Sequence, residues 1–130
     1  MLRLYQLKVD DLAPEVAFQI AGGPNKGRAK LAATLMRQGY YEPVADMDLH
    51  GTSWGVETLY ASTQNTDDVL SWSRNPPIGV MPIEPVAFFD QGQLWGRRSS
   101  MVGDVIEERD GETVMSRWVV DWQGFREVPL

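Results

Sequence analysis

Two alternating segments near the C-terminus, residues 105–109 and 113–121, meet across Asp110-Gly111, and this pairing constrains the fold more than any other feature. Alternation with a period of two places every other side chain on one sheet face. Asp-Gly is a favoured dipeptide of the type I′ turn, whose twist matches that of the strands it joins. A β-hairpin is therefore predicted, with Val114, Ser116, Trp118 and Val120 on one face and Met115, Arg117 and Val119 on the other. Such a hairpin must be covered by further strands or helices. Phe125 and Val128 are expected to close the core.

The rest of the chain supplies those elements. Residues 2–9 alternate well enough for a first strand, and residues 16–20, after Pro14, read as a second short one. Gly22-Gly23-Pro24-Asn25 is a turn from which Asn25 caps a helix running to Gln38, with Gly39 as its C-terminal stop. Residues 40–49 read as a strand, and Pro43 places it at an edge or beside a bulge. Thr52 or Ser53 caps a second helix, with Glu57 favouring a capping box and Trp54, Val56, Leu59 and Tyr60 on its apolar side. Residues 62–96 are irregular and rich in Pro and Gly, apart from a short buried strand expected at 86–89. The inventory is α+β: one domain over residues 1–130, an antiparallel or mixed sheet covered by two or three short helices, with a C-terminal hairpin.

Charge divides the domain. Residues 1–39 form a basic part; through residue 40 there are six Lys or Arg against three acids, whereas residues 41–130 carry six Arg against fifteen acids. An acidic body repels nucleic acid phosphates and suits a basic groove on a nucleic-acid-handling protein. The absence of cysteine excludes disulfides, zinc fingers and thiol nucleophiles. No apolar run approaches the ~20 residues of a membrane helix. A cytoplasmic, soluble protein that does not contact membranes is expected.

No motif for a reaction is complete. Residues 22–29 have P-loop glycine spacing, yet Arg28 stands where Lys is needed and Ala29 where a magnesium-binding hydroxyl is needed. What remains is a weak anion site of Lys26, Arg28 and Lys30 at a helix start. Asp46, Asp48 and His50 fall on one face if residues 40–49 continue as a strand, a ligand pattern for a divalent metal. Alternating polar residues also mark any half-exposed strand, and no metal or other cofactor is expected. Of five tryptophans, Trp54 and Trp118 fit apolar faces, while Trp72 and Trp95 lie in the irregular stretch as candidate partner contacts. Arg97 and Arg98 stand beside Ser99 and Ser100, where a serine is expected to cap a one-turn helix over 101–104.

The block Arg97-Arg98-Ser99-Ser100-Met101-Val102-Gly103-Asp104-Val105-Ile106 resembles the Arg-Ser-x-Ser-Val-Gly/Ser-Asp-Val-Ile block of YodL-like domains. Leu59-Tyr60, Thr63-Gln64-Asn65, Trp72 and Gly124-Phe125 extend the resemblance over roughly residues 40–128. Met101-Val102 is a bulkier version of the usual pair, and the stretch between Trp72 and Arg97 is long. The resemblance implies a non-enzymatic protein of plasmids, phages and other mobile elements, with no catalytic residues to carry over. The expected function is binding of a host protein as an anti-defence, anti-CRISPR-like inhibitor, by steric block or imitation of nucleic acid charge. Its expected contacts are Asp67, Asp68, Trp72, Trp95, Arg97, Arg98, Glu107 and Glu108. The alternative is a nucleic-acid-associated accessory factor using the basic helix, with Lys26, Arg28, Lys30 and Arg37. A third reading is a metal-dependent enzyme built on Asp46, Asp48 and His50.

Overall fold

A computed structural model describes residues 1–66 and 71–130. In chain order the elements are β1 (Leu2–Leu7), a 3-10 turn (Val9–Asp11), α1 (Pro14–Ala21), α2 (Arg28–Arg37), β2 (Tyr41–Met47) and α3 (Ser53–Ser62). They are followed by β3 (Val80–Pro82), β4 (Ala87–Asp90), β5 (Gln93–Gly96), β6 (Val105–Asp110), β7 (Thr113–Val120) and β8 (Phe125–Glu127). Six strands form one sheet in the order β3-β2-β1-β6-β7-β8, with every ladder antiparallel, and β4 and β5 form a separate ribbon. This is the α+β arrangement that the alternating segments predict.

Alternation along the strands feeds two cores. Leu2, Leu4, Val44, Ala45, Ile106 and Trp118 meet Val56 and Leu59 of α3 on one face. Leu7, Tyr41, Val105, Val119 and Val128 meet Ile20 of α1 and Ala32, Ala33 and Leu35 of α2 on the other. Burying a side chain of this kind contributes roughly 1.5–3 kcal/mol, so both faces need their helices. β2 shifts register between its pairings Leu4↔Ala45 and Tyr5↔Pro43. Pro43 therefore sits beside a bulge, where its missing N–H costs no ladder bond.

Several local expectations are corrected. Residues 16–20 are helical within α1, because Pro14 opens the helix and Val16 and Ile20 share a face at a spacing of four. The cap of α2 is Gly27, while the Asn25 side chain accepts from the Gly27 N–H at 2.8 Å and donates to Gln19 O at 2.7 Å. Gly39, at φ 82°, does close that helix. Thr52 caps α3 by accepting from the Gly55 N–H at 3.1 Å, but the third helical position is Gly55, so Glu57 forms no capping box. Trp54, expected in the core, is 67% exposed.

The C-terminal turn lies one residue later than Asp110-Gly111. Asp110 pairs with Thr113, leaving Gly111 and Glu112 as the central residues, of which only Gly111 has positive φ. That is a requirement of a type II′ rather than a type I′ turn. The strand expected at 86–89 exists as β4, yet it is exposed rather than buried. Residues 101–104 make a single turn, not a helix. No helix among the described residues is long and apolar enough to cross a membrane.

Candidate functional site

Residues 97–104 form a knot of hydrogen bonds. The Arg98 guanidinium binds both Asp104 carboxylate oxygens at 2.8 and 2.9 Å and donates to Leu7 O at 2.9 Å. Asp104 also accepts from the backbone N–H groups of Leu7 at 2.9 Å and Met101 at 2.8 Å. Burial pushes its carboxyl above the ordinary carboxylate range, against the pull of Arg98 and those two N–H groups. Gly103 adopts φ 98°, and a Cβ there would lie 2.8 Å from Ile20 O. Tyr41 donates its hydroxyl to Gly103 O at 2.5 Å, and burial raises its pKa far above the usual phenolic value.

The serines of this block are not helix caps. Ser100 Oγ lies 2.6 Å from Thr63 Oγ1, and Ser99 Oγ accepts from the Asn65 N–H at 2.8 Å. Gln64 donates to Ser100 O at 3.0 Å, and the Trp72 indole N–H donates to Arg98 O at 2.7 Å. Thr63-Gln64-Asn65, Trp72 and residues 97–104, far apart in the chain, thus meet where the end of α3 reaches β1 and β6. Trp72 is buried in the core and offers no partner contact. Arg98 is committed to Asp104, and Arg97, also buried, pairs with Glu42 and donates to Pro85 O at 3.1 Å. Trp72, expected as a contact, belongs to the scaffold of the site, whereas Arg97 and Arg98 are held in ion pairs and also line the groove described below.

What they support is a hairpin. β4 and β5 pair through Ala87↔Gly96, Phe88↔Trp95, Phe89↔Leu94 and Asp90↔Gln93. Gln91 and Gly92, at φ 51° and 79°, form its turn, and positive φ at both central residues is the type I′ requirement. The ribbon is anchored at its base. Ser73 Oγ accepts from the Arg97 N–H at 2.8 Å and donates to Val86 O at 2.6 Å, and Arg74 donates to Leu94 O at 3.1 Å. Its apolar side chains remain in solvent: Phe88 is 46% exposed, Phe89 77%, Leu94 40% and Trp95 46%. Beside the ribbon, a groove of ≈ 1130 Å³ runs between Phe88, Leu94 and Trp95, the end of β1 with its 3-10 turn, and Arg97–Arg98.

The remaining expected residues lie elsewhere. Asp67 and Asp68 lie outside the described residues. Glu107 is buried on the α1–α2 side of the sheet, accepting from Arg109 and Arg117 at 2.6 Å each and from the Tyr5 hydroxyl at 3.0 Å. It is therefore not available to a partner. Burial and the Glu107 carboxylate raise the Tyr5 pKa. Glu108 faces the α3 side and accepts from the Gly51 N–H. Lys26 and Lys30 are exposed, but Arg28 is fully buried. Its guanidinium pairs with Asp121 and donates to the carbonyls of Ile20 at 2.8 Å, Gly22 at 2.9 Å and Gly23. The anion site thus loses its central cation to structural work. β2 ends at Met47, and Asp46 is held by Arg3 at 2.7 and 3.0 Å. Among the described residues no group of three or more His, Asp or Glu is placed to hold a metal.

Phe88, Phe89 and Leu94 were not expected at the site. Their signal is in the sequence: two short apolar segments separated by Asp90-Gln91-Gly92-Gln93, a hairpin pattern without a core-facing alternation. Comparison with known protein families, curated proteins and solved structures finds no match to this chain.

Proposed function

We propose that this protein is a non-enzymatic, mobile-element inhibitor that grips a host protein with the β4–β5 ribbon and blocks it sterically. One observation carries the reading: the ribbon, apart from the main sheet, exposes large apolar side chains on both its faces, Phe88 with Trp95 and Phe89 with Leu94. A two-stranded ribbon is marginal alone in water, and an exposed apolar cluster rimmed by polar groups is a feature of protein interfaces. Aromatic residues in such a cluster supply most of the binding energy. The anti-defence role rests on the resemblance of residues 97–106 to a mobile-element domain family. Steric block is favoured over charge mimicry because the Glu107 carboxylate is consumed by Arg109 and Arg117.

The test is phage plating on strains carrying different defence systems, with expression of the natural protein or of a Phe89→Ser/Trp95→Ala variant. Restored plating with the natural protein and none with the variant, both folded by circular dichroism, is expected. Equal activity of the variant, or no effect against any system tested, refutes the reading. Salt-sensitive retention on heparin that disappears in a Lys26→Ala/Lys30→Ala variant would favour the nucleic-acid alternative instead.

A further inference from the structure

A second cleft lies on the α3 face of the sheet, and it shares no lining residue with the groove beside the ribbon. It measures ≈ 460 Å³ and is bounded by Gly51, Ser53, Val56 and Glu57 on one side and Trp118, Gly124 and Phe125 on the other. From these residues we infer that the cleft receives a cationic side chain, an arginine, presented by a basic segment of a partner protein.

The wall is aromatic and held in place. Phe125 meets Tyr60 edge-on, with ring centroids 5.8 Å apart and planes at 80°. Trp118 is half-buried against the α3 core, beside Phe125. Gly51 suits its place: a Cβ would lie 2.6 Å from the Trp118 ring and press on the Glu108 carboxylate. The glycine lets the backbone approach an indole and a carboxylate together.

The charge around that indole has one sign. Glu57 is the only charged residue among those lining the cleft, and it is exposed on α3. Glu127 is the cross-strand partner of Trp118, and Glu108 sits behind Gly51, paired in register with Ser116 two residues from Trp118. No described Lys or Arg lines the cleft. An indole that shares its cleft with the Glu57 carboxylate, with Glu108 and Glu127 just outside the lining, attracts a cation through both the ring quadrupole and the net charge. A guanidinium stacks flat on an indole and also donates to carboxylates, which an ammonium does less well. Trp54, next to Ser53, and Trp122, two residues before Gly124, are 67% and 59% exposed and flank the cleft in the chain. They are residue types that anchor interfaces.

The test is a titration of the full chain with a capped Gly-Arg-Gly peptide, reading the tryptophan indole N–H resonances assigned by triple-resonance NMR. The neutral control is the same peptide with citrulline, which keeps the shape and removes the charge. The Trp118 indole is expected to shift saturably, with affinity in the millimolar range for a single side chain, and to weaken as salt rises. The citrulline peptide should bind about ten-fold more weakly. Glu57→Gln should weaken the arginine peptide roughly three-fold or more, and Glu57→Lys should abolish its effect. An equal response to citrulline, an unmoved Trp118 indole, or an unchanged titration in both Glu57 variants overturns the inference. Because the ribbon is not involved, none of these results bears on the steric inhibitor reading.

Discussion

Replacing Arg28 by Met separates a structural cation from an anion-binding one. The guanidinium is 0% exposed and its ion-pair partner Asp121 is 5% exposed. It also binds the carbonyls that end α1, those of Ile20, Gly22 and Gly23. Removing one member of a buried pair costs about 3–5 kcal/mol. Asp121 keeps Arg126 and the Trp122 N–H, which moderates the loss. The carbonyls of Gly22 and Gly23 are only partly buried and regain water, whereas the bond to Ile20 O is lost in the interior. Methionine fills the vacated space with flexible apolar atoms. The net expectation is about 3 kcal/mol, a large share of the ~5–15 kcal/mol that holds a domain together. At a urea slope of ~2 kcal/mol/M, the unfolding midpoint should fall by about 1.5 M. Lys26→Ala and Lys30→Ala, both exposed, should stay within about 0.5 kcal/mol of the natural protein. The reasoning is refuted if Arg28→Met unfolds with the natural protein while its retention on heparin falls.

The tryptophans divide in the same experiment: Trp72→Ala should cost about 3–5 kcal/mol, and Trp95→Ala less than ~1 kcal/mol. Equal losses by denaturant titration would place both in the core. In alkali, the raised folded-state pKa of Tyr41 means its stabilising share is complete below the unfolded value near 10 and is lost as pH rises toward the folded value. Stability should therefore fall above pH ~10 by about 1.4 kcal/mol per pH unit for this one proton. Tyr5 and Tyr60, also shifted upward, add to the slope, so Tyr41→Phe should flatten it without removing it. An unchanged slope in pH-dependent melts of Tyr41→Phe would count against a buried phenol.

Strand segments with clean alternation were legible before any coordinates. Residues 2–7 and 116–120 fall where their period of two puts them, and Thr52 caps α3 as its hydroxyl predicts; Val114, expected on the face of Ser116 and Trp118, pairs instead with Arg109 beyond the register shift and turns to the other face. Short apolar runs were less so: residues 16–20 carry no period long enough to distinguish a strand from a helix turn. The C-terminal hairpin was legible as a hairpin but not to the residue, because register depends on the bulge between Glu108 and Arg109. Of the exposed ribbon residues, Trp95 alone is singled out by the sequence. The others escaped because Val86-Ala87-Phe88-Phe89 looks as if it belongs in a core. Arg28 and Arg98 looked like surface cations because their partners, Asp121 and Asp104, are chosen by tertiary folding.

The strand order has a consequence for how the chain folds as it leaves the ribosome. β1, which precedes both its neighbours in the chain, lies between β2 and β6. It acquires β2 once Met47 is made, yet its other flank waits for Val105–Glu108. During the intervening synthesis the Leu2–Leu7 flank awaiting β6 stays open, an unpaired edge of the kind that invites pairing with other chains. The segment that relieves this hazard includes Asp104, whose carboxylate accepts from Leu7 and Arg98 just ahead of β6. Nascent chains whose residues beyond 104 are still within the ribosome should therefore depend on chaperones, and those with residues through 120 released from it should not.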